Sequence, residues 1–344
     1  MPIHEHYMQR CFELAGSGSG RVAPNPLVGA VLVHNGIIIG EGAHIMYGGP
    51  HAEVNAIRNC TQPDLLSSST LYVNLEPCSH HGKTPPCADL ILKNKIPQVV
   101  IGSLDSNPLV SGRGVQLLRD AGVDVITGIL EHEARELNRR FYIWHERRRP
   151  YIILKWAQTA DGYIDHRRAP EEPRAIISSP DSHRLLHAWR AEEAAILIGT
   201  HTALYDDPHL TVRLGEGRNP VRLIIDRHNR LPVTLRVFDG AAPTILFSYK
   251  DVQQPYTDTV LLEPDNNELA QILQVLYERN LQSVLVEGGA GLLNSFLKVG
   301  LWDEIRIFTS PKQFGSGVAA PQLKLLPASE TTSGPDRLTI YRNV

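Results

Sequence analysis

Four residues in the first quarter of the chain have the types and spacing of a catalytic metal centre: His51, Glu53, Cys78 and Cys87. His51-Ala52-Glu53 comes before a predicted strand, Glu76-Pro77-Cys78 comes after it, and eight residues separate Cys78 from Cys87. A catalytic zinc takes three protein ligands of nitrogen or sulfur type and keeps one position open for water. His51, Cys78 and Cys87 supply that number. Glu53 falls on the same first helical turn as the histidine, where it can stand beside the metal without binding it and carry protons between water and substrate. Zinc lowers the pKa of bound water from ~15.7 to ~7, so hydroxide becomes available at neutral pH. A closed structural zinc site would need a fourth strong ligand, and His80 or His81 could provide one; such a site has no use for Glu53. The other two cysteines, Cys11 and Cys60, lie outside the pattern and read as helix-packing residues.

His-x-Glu followed by Pro-Cys is the pattern of the zinc nucleobase deaminases, in which hydroxide attacks a ring carbon bearing an amine. The usual spacing between the two cysteines is two residues. Here the insert Ser79–Pro86 must loop out over the pocket if Cys87 is to reach the metal. Lys83 and Thr84 on that loop are placed to meet an anionic substrate.

The elements that must position these residues alternate between β and α. Strands are predicted at 28–33 and 37–41 around Asn35-Gly36, a hairpin signal because both residues tolerate positive φ. A helix from 51 to 59, a strand at 70–75, a helix near 88–94, a strand at 98–102 and a helix–strand pair over 115–126 follow. A charged helix is expected over 131–144. This alternation predicts a layered α/β domain. Arg147-Arg148-Arg149-Pro150 interrupts it and reads as a solvated linker, giving domains at 1–146 and 151–344.

The second domain opens a new sheet. Short, largely buried strands are predicted at 151–156, 194–199, 221–226, 244–248, 259–262, 283–287 and 303–309, with helices at 182–192, 268–279 and 291–299. The run Glu287-Gly288-Gly289-Ala290-Gly291-Leu292 joins a buried strand to a helix start, a turn whose backbone N–H groups can approach a diphosphate. Glycines also make tight strand–helix turns without a ligand, and the spacing is not the six-residue Rossmann fingerprint.

Composition excludes several other classes. With 34 Lys and Arg against 37 Asp and Glu in 344 residues, the net charge of −3 rules out a polybasic nucleic-acid coat. No apolar run approaches the ~18 residues of a membrane helix. The start Met1-Pro2-Ile3-His4 lacks the basic and apolar segments of a signal peptide, so the expected location is cytoplasmic, with neither nucleic acid nor membrane as partner. Four cysteines in such a chain suggest metal or catalysis rather than a disulfide framework.

Several stretches together resemble the bifunctional deaminase–reductases of riboflavin biosynthesis. They are Ala23-Pro24-Asn25-Pro26-x-Val28-Gly29, His51-Ala52-Glu53-Val54, the run from Glu76 to Cys87, and Asp105-Ser106-Asn107-Pro108-x-Val110-x-Gly112-x-Gly114. The resemblance extends over almost the whole chain. It implies a cytidine-deaminase-like three-layer α/β/α domain followed by a dihydrofolate-reductase-like α/β domain. It further implies one Zn2+ per chain, NADPH as reductant and a small phosphoribosyl pyrimidine as substrate, with a homo-oligomer possible. The first reaction would hydrolyse the 2-amino group of 2,5-diamino-6-(5-phosphoribosylamino)pyrimidin-4-one. The second would reduce the ribosyl group to ribityl.

By matched position, Asn25, His44, Lys83, Thr84, Asp105 and Asn107 become substrate contacts of the deaminase, although Asn25, Asp105 and Asn107 also suit simple turns. In the reductase, Arg190 and Arg213 become phosphate ligands, with Leu210 and Glu287 near the substrate. A macrodipole role at a helix end would also explain Arg190. The implied cofactor contacts are Lys155, Ala157, Thr159 and Asp161 from the first strand and turn, Ile176, Thr202, Asp206, and Gly288 to Leu292 (Gly288, Gly289, Ala290, Gly291, Leu292). Lys155 can also be read as a lysine whose stem lines the core edge. Where the family carries Ser-x-Trp-Ile, this chain has Arg174-Ala175-Ile176-Ile177, so a serine substrate contact becomes arginine and an aromatic cofactor contact becomes isoleucine.

Overall fold

A computed structural model describes residues 3–79, 85–107, 110–169, 172–264 and 267–343. The chain divides into two compact units, Met1–Arg148 and Arg149–Val344.

The first unit runs α1 (Ile3–Gly16), β1 (Gly29–His34), β2 (Ile37–Ala43), α2 (Ala52–Arg58), β3 (Thr70–Leu75), α3 (Cys87–Lys93), β4 (Gln98–Ser103), α4 (Arg113–Asp120), β5 (Asp124–Thr127), α5 (Glu131–Leu137) and α6 (Arg139–Arg147). Its sheet has the order β2-β1-β3-β4-β5. β1 lies antiparallel to both β2 and β3, and β4 and β5 continue in parallel. The hairpin turn forms at Asn35 and Gly36, with φ of 47° and 80°.

Strand alternation decides which layer each residue joins. Ala30, Leu32, Leu71 and Val73 face one core together with Ala52 and Ala56 of α2, Ile91 of α3 and Leu118 of α4. Their neighbours Val31, Val33, Tyr72 and Val100 face the opposite side, where Tyr7, Met8 and Cys11 of α1 pack. Truncating a fully buried residue such as Ile91 or Leu118 to alanine costs about 2–5 kcal/mol at such positions.

Two expectations change here. α1 is an additional helix whose buried residues sit at a helical spacing. The helix expected over 131–144 is two helices, because the buried side chain of Asn138 turns away to the backbone of Leu27, accepting from its N–H at 2.8 Å and donating to its carbonyl at 2.9 Å. Within 147–150, Arg147 closes α6, and Arg149 binds Asp303 of the second unit through both Nη atoms at 2.5 and 2.7 Å.

The second unit runs β6 (Tyr151–Thr159), β7 (Tyr163–Asp165), α7 (Pro180–Glu192), β8 (Ala195–Gly199), α8 (Thr200–Asp206), β9 (Val221–Ile225), β10 (Thr244–Ser248), β11 (Thr257–Leu261), α9 (Glu268–Glu278), β12 (Ser283–Val286), α10 (Ala290–Lys298), β13 (Glu304–Ser310), β14 (Val318–Ala319), β15 (Ser329–Ser333) and β16 (Asp336–Arg342). The large sheet has the order β11-β10-β9-β8-β12-β6-β13-β16-β15. From β11 to β13 every pairing is parallel, and β16 and β15 close the edge as an antiparallel hairpin. Both faces of the central strands are apolar, as the near-continuous Ile/Leu/Val runs require of a covered parallel sheet. Ile152, Leu197, Val284 and Val286 meet α9 and α10 through Leu276 and Phe296, while Ile196, Ile198 and Ile224 meet Val237 and Phe238 on the other face. β12 returns between β8 and β6, so the strand order reverses there, and a crevice opens beyond the carboxyl ends at such a switch point.

Candidate active sites

In the first unit α2 can lie close on β2 because Gly42 has no side chain: a Cβ there would sit 2.2 Å from the Ala56 nitrogen. This fixes the start of α2, where His51 is the N-cap residue and Glu53 is buried in the first turn. Cys78 follows the end of β3 and Cys87 opens α3. The three ligand atoms lie within 4.8 Å of one another. His51 Nδ1 is 3.6 Å from Cys78 Sγ and 3.3 Å from Cys87 Sγ. Zinc–sulfur and zinc–nitrogen bonds arranged tetrahedrally put neighbouring S and N atoms about 3.5 Å apart. The donor set therefore fits zinc.

The Cys87 hydrogen bond, with His51 assisting, holds the Cys78 thiol down at about 4, while the same contact and burial push Cys87 up. Burial, reinforced by the Cys78 charge, raises the Glu53 carboxyl to about 7. A carboxyl at that value can accept and return a proton at neutral pH.

Two residues that the sequence reading did not single out as site residues build the surrounding wall. Glu76 accepts four backbone N–H groups through its two carboxylate oxygens, from Asp105 (3.2 Å), Gly112 (2.9 Å), Gly114 (2.9 Å) and Val115 (3.1 Å). It thereby ties the 105–115 segment to the strand end that carries Cys78. Gly114 packs so closely on this strand end that a Cβ would lie 2.0 Å from the Pro77 carbonyl oxygen. Asn74, fully buried, accepts from the Gly29 N–H at 2.7 Å and donates to the Leu27 carbonyl at 3.0 Å, pinning the loop that carries Asn25.

Asn25 Nδ2 lies 3.1 Å from His44 Nε2, and His44 Nδ1 lies 3.0 Å from the Pro50 carbonyl. A carbonyl can only accept, so Nδ1 carries the proton and Nε2 accepts from Asn25. Burial lowers the His44 pKa in the same sense. Asp105 accepts from the Asn107 N–H at 2.6 Å, and burial raises its pKa to about 6. Lys83 and Thr84, like His80 and His81, lie outside the described residues.

In the second unit the crevice is a cavity of about 1030 Å³. It is lined by Lys155 and Ala157 from β6, Arg190 from α7, Thr202 and Asp206 from α8, Leu210, Arg213, Ile176 and the turn Glu287 to Leu292. Thr159 and Asp161 do not line it. Thr159 Oγ1 donates to Asp161 at 2.5 Å and accepts from the Tyr163 N–H, and Asp161 receives the N–H groups of Phe314 and Gly315, so both hold turns at the end of β6. Asp206 is engaged by Arg168, which also binds Asp165 at 2.8 Å and the Tyr205 carbonyl at 2.9 Å.

The turn at Gly288 is a close cradle, where a Cβ would meet Leu292 Cδ2 at 2.6 Å. The Gly289 N–H donates to Thr202 Oγ1 at 2.9 Å, fixing this turn against α8. Ala290 and Gly291 then open α10, and first-turn N–H groups have no helix carbonyl to bind. Such a cradle suits a dinucleotide diphosphate. Arg227, Arg230 and Arg236 line the cavity beyond the end of β9. Glu287 and Arg190 bind each other, and burial lowers the Lys155 pKa against the raising effect of Glu287.

Fold and site define a nucleobase-deaminase-like unit with a His-Cys-Cys metal-binding cluster, joined in one chain to a reductase-like α/β unit. Residues 1–103 match the family described as the cytidine and deoxycytidylate deaminase zinc-binding region, and residues 150–333 match the RibD C-terminal domain. The chain belongs to the RibD family of bifunctional riboflavin-biosynthesis proteins. It is 40% identical over 337 residues to riboflavin biosynthesis protein RibD of Aquifex aeolicus, covering 96% of this chain and 93% of that one. The corresponding protein of Bacillus amyloliquefaciens is 42% identical, with coverage of 93% and 88%. The crystal structure of a diaminohydroxyphosphoribosylaminopyrimidine deaminase/5-amino-6-(5-phosphoribosylamino)uracil reductase from Thermotoga maritima superimposes with a TM-score of 0.88 at 40% identity, covering 99% of each chain. Acinetobacter baumannii RibD gives 0.89 at 32% identity, covering 98% of each chain. Among the described residues no helix is long and apolar enough to cross a membrane.

Proposed function

We propose that residues 1–146 deaminate 2,5-diamino-6-(5-phosphoribosylamino)pyrimidin-4-one at a zinc centre and that residues 151–344 reduce the ribosyl group of the product with NADPH. The observation that carries the first half is the His51, Cys78 and Cys87 cluster with buried Glu53 beside it. Zinc held by these three residues supplies a Lewis acid that makes water a nucleophile at neutral pH. Glu53 takes a proton from the attacking water and delivers it to the departing amine, so water is consumed and ammonia released. Its pKa of about 7 suits both transfers. Asn25, oriented by His44, and the Asp105–Asn107 turn tied down by Glu76 form the wall against which the pyrimidine is held.

For the second half, the cradle at Gly288 to Leu292 and the size of the cavity support a dinucleotide. The turn from Gly288 to Leu292 would hold the diphosphate of NADPH, which would bring hydride chemistry to this cavity for reduction at C1′ of the ribosyl group. Arg227, Arg230 and Arg236 line this cavity, Arg227 paired with Glu268 and Arg236 with Asp207, and Lys155 and Glu287 add further charged groups to its wall. The test is one assay on the phosphoribosyl pyrimidine, following ammonia release with and without chelator and oxidation of NADPH against NADH. Ammonia release that survives complete removal of zinc, or equal use of both cofactors at low concentration, would overturn the corresponding half.

A further inference from the structure

One peptide unit at the wall of the deaminase site is held at both ends, by two residues far from it in sequence. The Asp105 N–H donates to Glu76 Oε2 at 3.2 Å, and the carbonyl of the same unit, on Leu104, accepts from the Tyr142 hydroxyl at 2.8 Å. A peptide is planar, so fixing its N–H and its carbonyl sets the direction in which the chain enters Asp105. Tyr142 reaches this carbonyl from α6, 38 positions further along, and is itself buried.

The hydrogen-bond directions follow from the partners. A carbonyl only accepts, so Tyr142 commits its one proton to Leu104. The Ser103 hydroxyl, 2.6 Å from the Tyr142 oxygen, is therefore the donor of that pair. Ser103 ends β4, and its carbonyl accepts the Glu76 N–H at 3.0 Å. Ser103, Tyr142, the Leu104–Asp105 peptide and Glu76 thus form a closed ring of hydrogen bonds around the strand end. Burial pushes the Tyr142 hydroxyl up to about 12, so it remains a donor at neutral pH. The Arg135 guanidinium covers the Tyr142 ring at 4.1 Å. Asp105 Oδ1 is occupied by the Asn107 N–H at 2.6 Å, and among the described residues Oδ2 has no partner. That second oxygen is the one whose placement matters to a ligand.

We infer that Tyr142 is a positioning residue of the deaminase, whose hydroxyl fixes the peptide that sets Asp105 against the pyrimidine. The inference rests on the deaminase reading of the first unit. Neither the zinc ligands nor Glu53 takes part in it.

The full-length, zinc-loaded protein is tested with the phosphoribosyl pyrimidine by following ammonia release. Tyr142→Phe keeps the ring and removes only the hydroxyl. It should raise KM about 2- to 10-fold, the range of one lost hydrogen bond, and keep kcat and zinc content. In an Asp105→Asn background the same substitution should change KM by under about twofold, because residues that act through one contact are not additive. Arg135→Met uncovers the ring but leaves the hydroxyl, so it should lower the unfolding temperature and leave KM alone. Amide hydrogen exchange should quicken at Asp105 in Tyr142→Phe, while the strand at 70–75 keeps its protection. A KM that does not rise in Tyr142→Phe, or that rises as much in Arg135→Met, overturns the assignment and makes Tyr142 a packing residue. Full additivity with Asp105→Asn, or unchanged exchange at Asp105, does the same. The exchange measurement tests the clamp even where the parent protein releases no ammonia from this substrate, an outcome that would refute only the deaminase reading.

Discussion

Glu287 grips Arg190 through both carboxylate oxygens, at 2.9 and 2.7 Å, across 97 positions of sequence and beside the buried ammonium of Lys155. Arg190 and Lys155 hold the Glu287 carboxyl below its usual range despite burial. Removing one partner of a buried pair leaves an uncompensated charge and costs about 3–5 kcal/mol. Glu287→Ala should therefore destabilise the second unit by about that amount, measured by urea unfolding. A loss below ~1 kcal/mol would mean that water reaches Arg190 freely.

Zinc should be present at one atom per chain, measured by elemental analysis of the purified protein. Cys87→Ser removes a ligand atom 3.3 Å from His51 Nδ1 and should cut zinc content sharply. Cys60 packs with Ile39, Leu66 and Ala56 in the core, so Cys60→Ser should keep the metal. Equal loss from both variants would show that the ligand set is misassigned.

The metal cluster was legible in sequence because the chemistry restricts the residue types, and strands such as Thr70–Leu75 and Thr244–Ser248 because their apolar runs are short and bounded by turn residues. α1 carries Tyr7, Met8, Cys11 and Ala15 at helical spacing, but polar residues such as His4, Glu5 and His6 dilute that signal in its first turn. The closing hairpin of β15 and β16 has little apolar alternation in Ser329–Ser333, and only Gly334-Pro335 marks its turn. Asn138 and Asn74 carry no local signal, since their partner Leu27 lies 111 and 47 positions away. Glu76 could have been found: a carboxylate within the Glu-Pro-Cys run, followed by a glycine-rich 105–115 segment, is a candidate to cap exposed N–H groups.

Gly114→Ala tests whether that segment positions the metal. The added methyl would lie 2.0 Å from the Pro77 carbonyl oxygen and 3.3 Å from Glu76 Oε1, so the strand end that carries Cys78 must move. Zinc affinity should fall while the sheet persists. Far-ultraviolet circular dichroism and a competitive chelator titration measure the two effects separately. Unchanged zinc affinity in a folded variant would show that Cys78 is placed by other contacts.

Glu53→Ala should separate the two chemistries. The substitution removes a buried proton carrier but no ligand atom, so zinc should stay and deamination should fall. General acid–base groups typically supply ~10²–10⁴-fold, and one used for more than one proton transfer belongs at the upper end. Reduction should stay near the parent rate when the deaminated intermediate is supplied, because the reductase cavity is lined by residues of the second unit, which has its own core. Ammonia release from the first substrate and NADPH oxidation with the supplied intermediate read the two activities on the same preparation. A folded, zinc-loaded Glu53→Ala that no longer oxidises NADPH with the intermediate would refute two independent sites and require a shared one in their place.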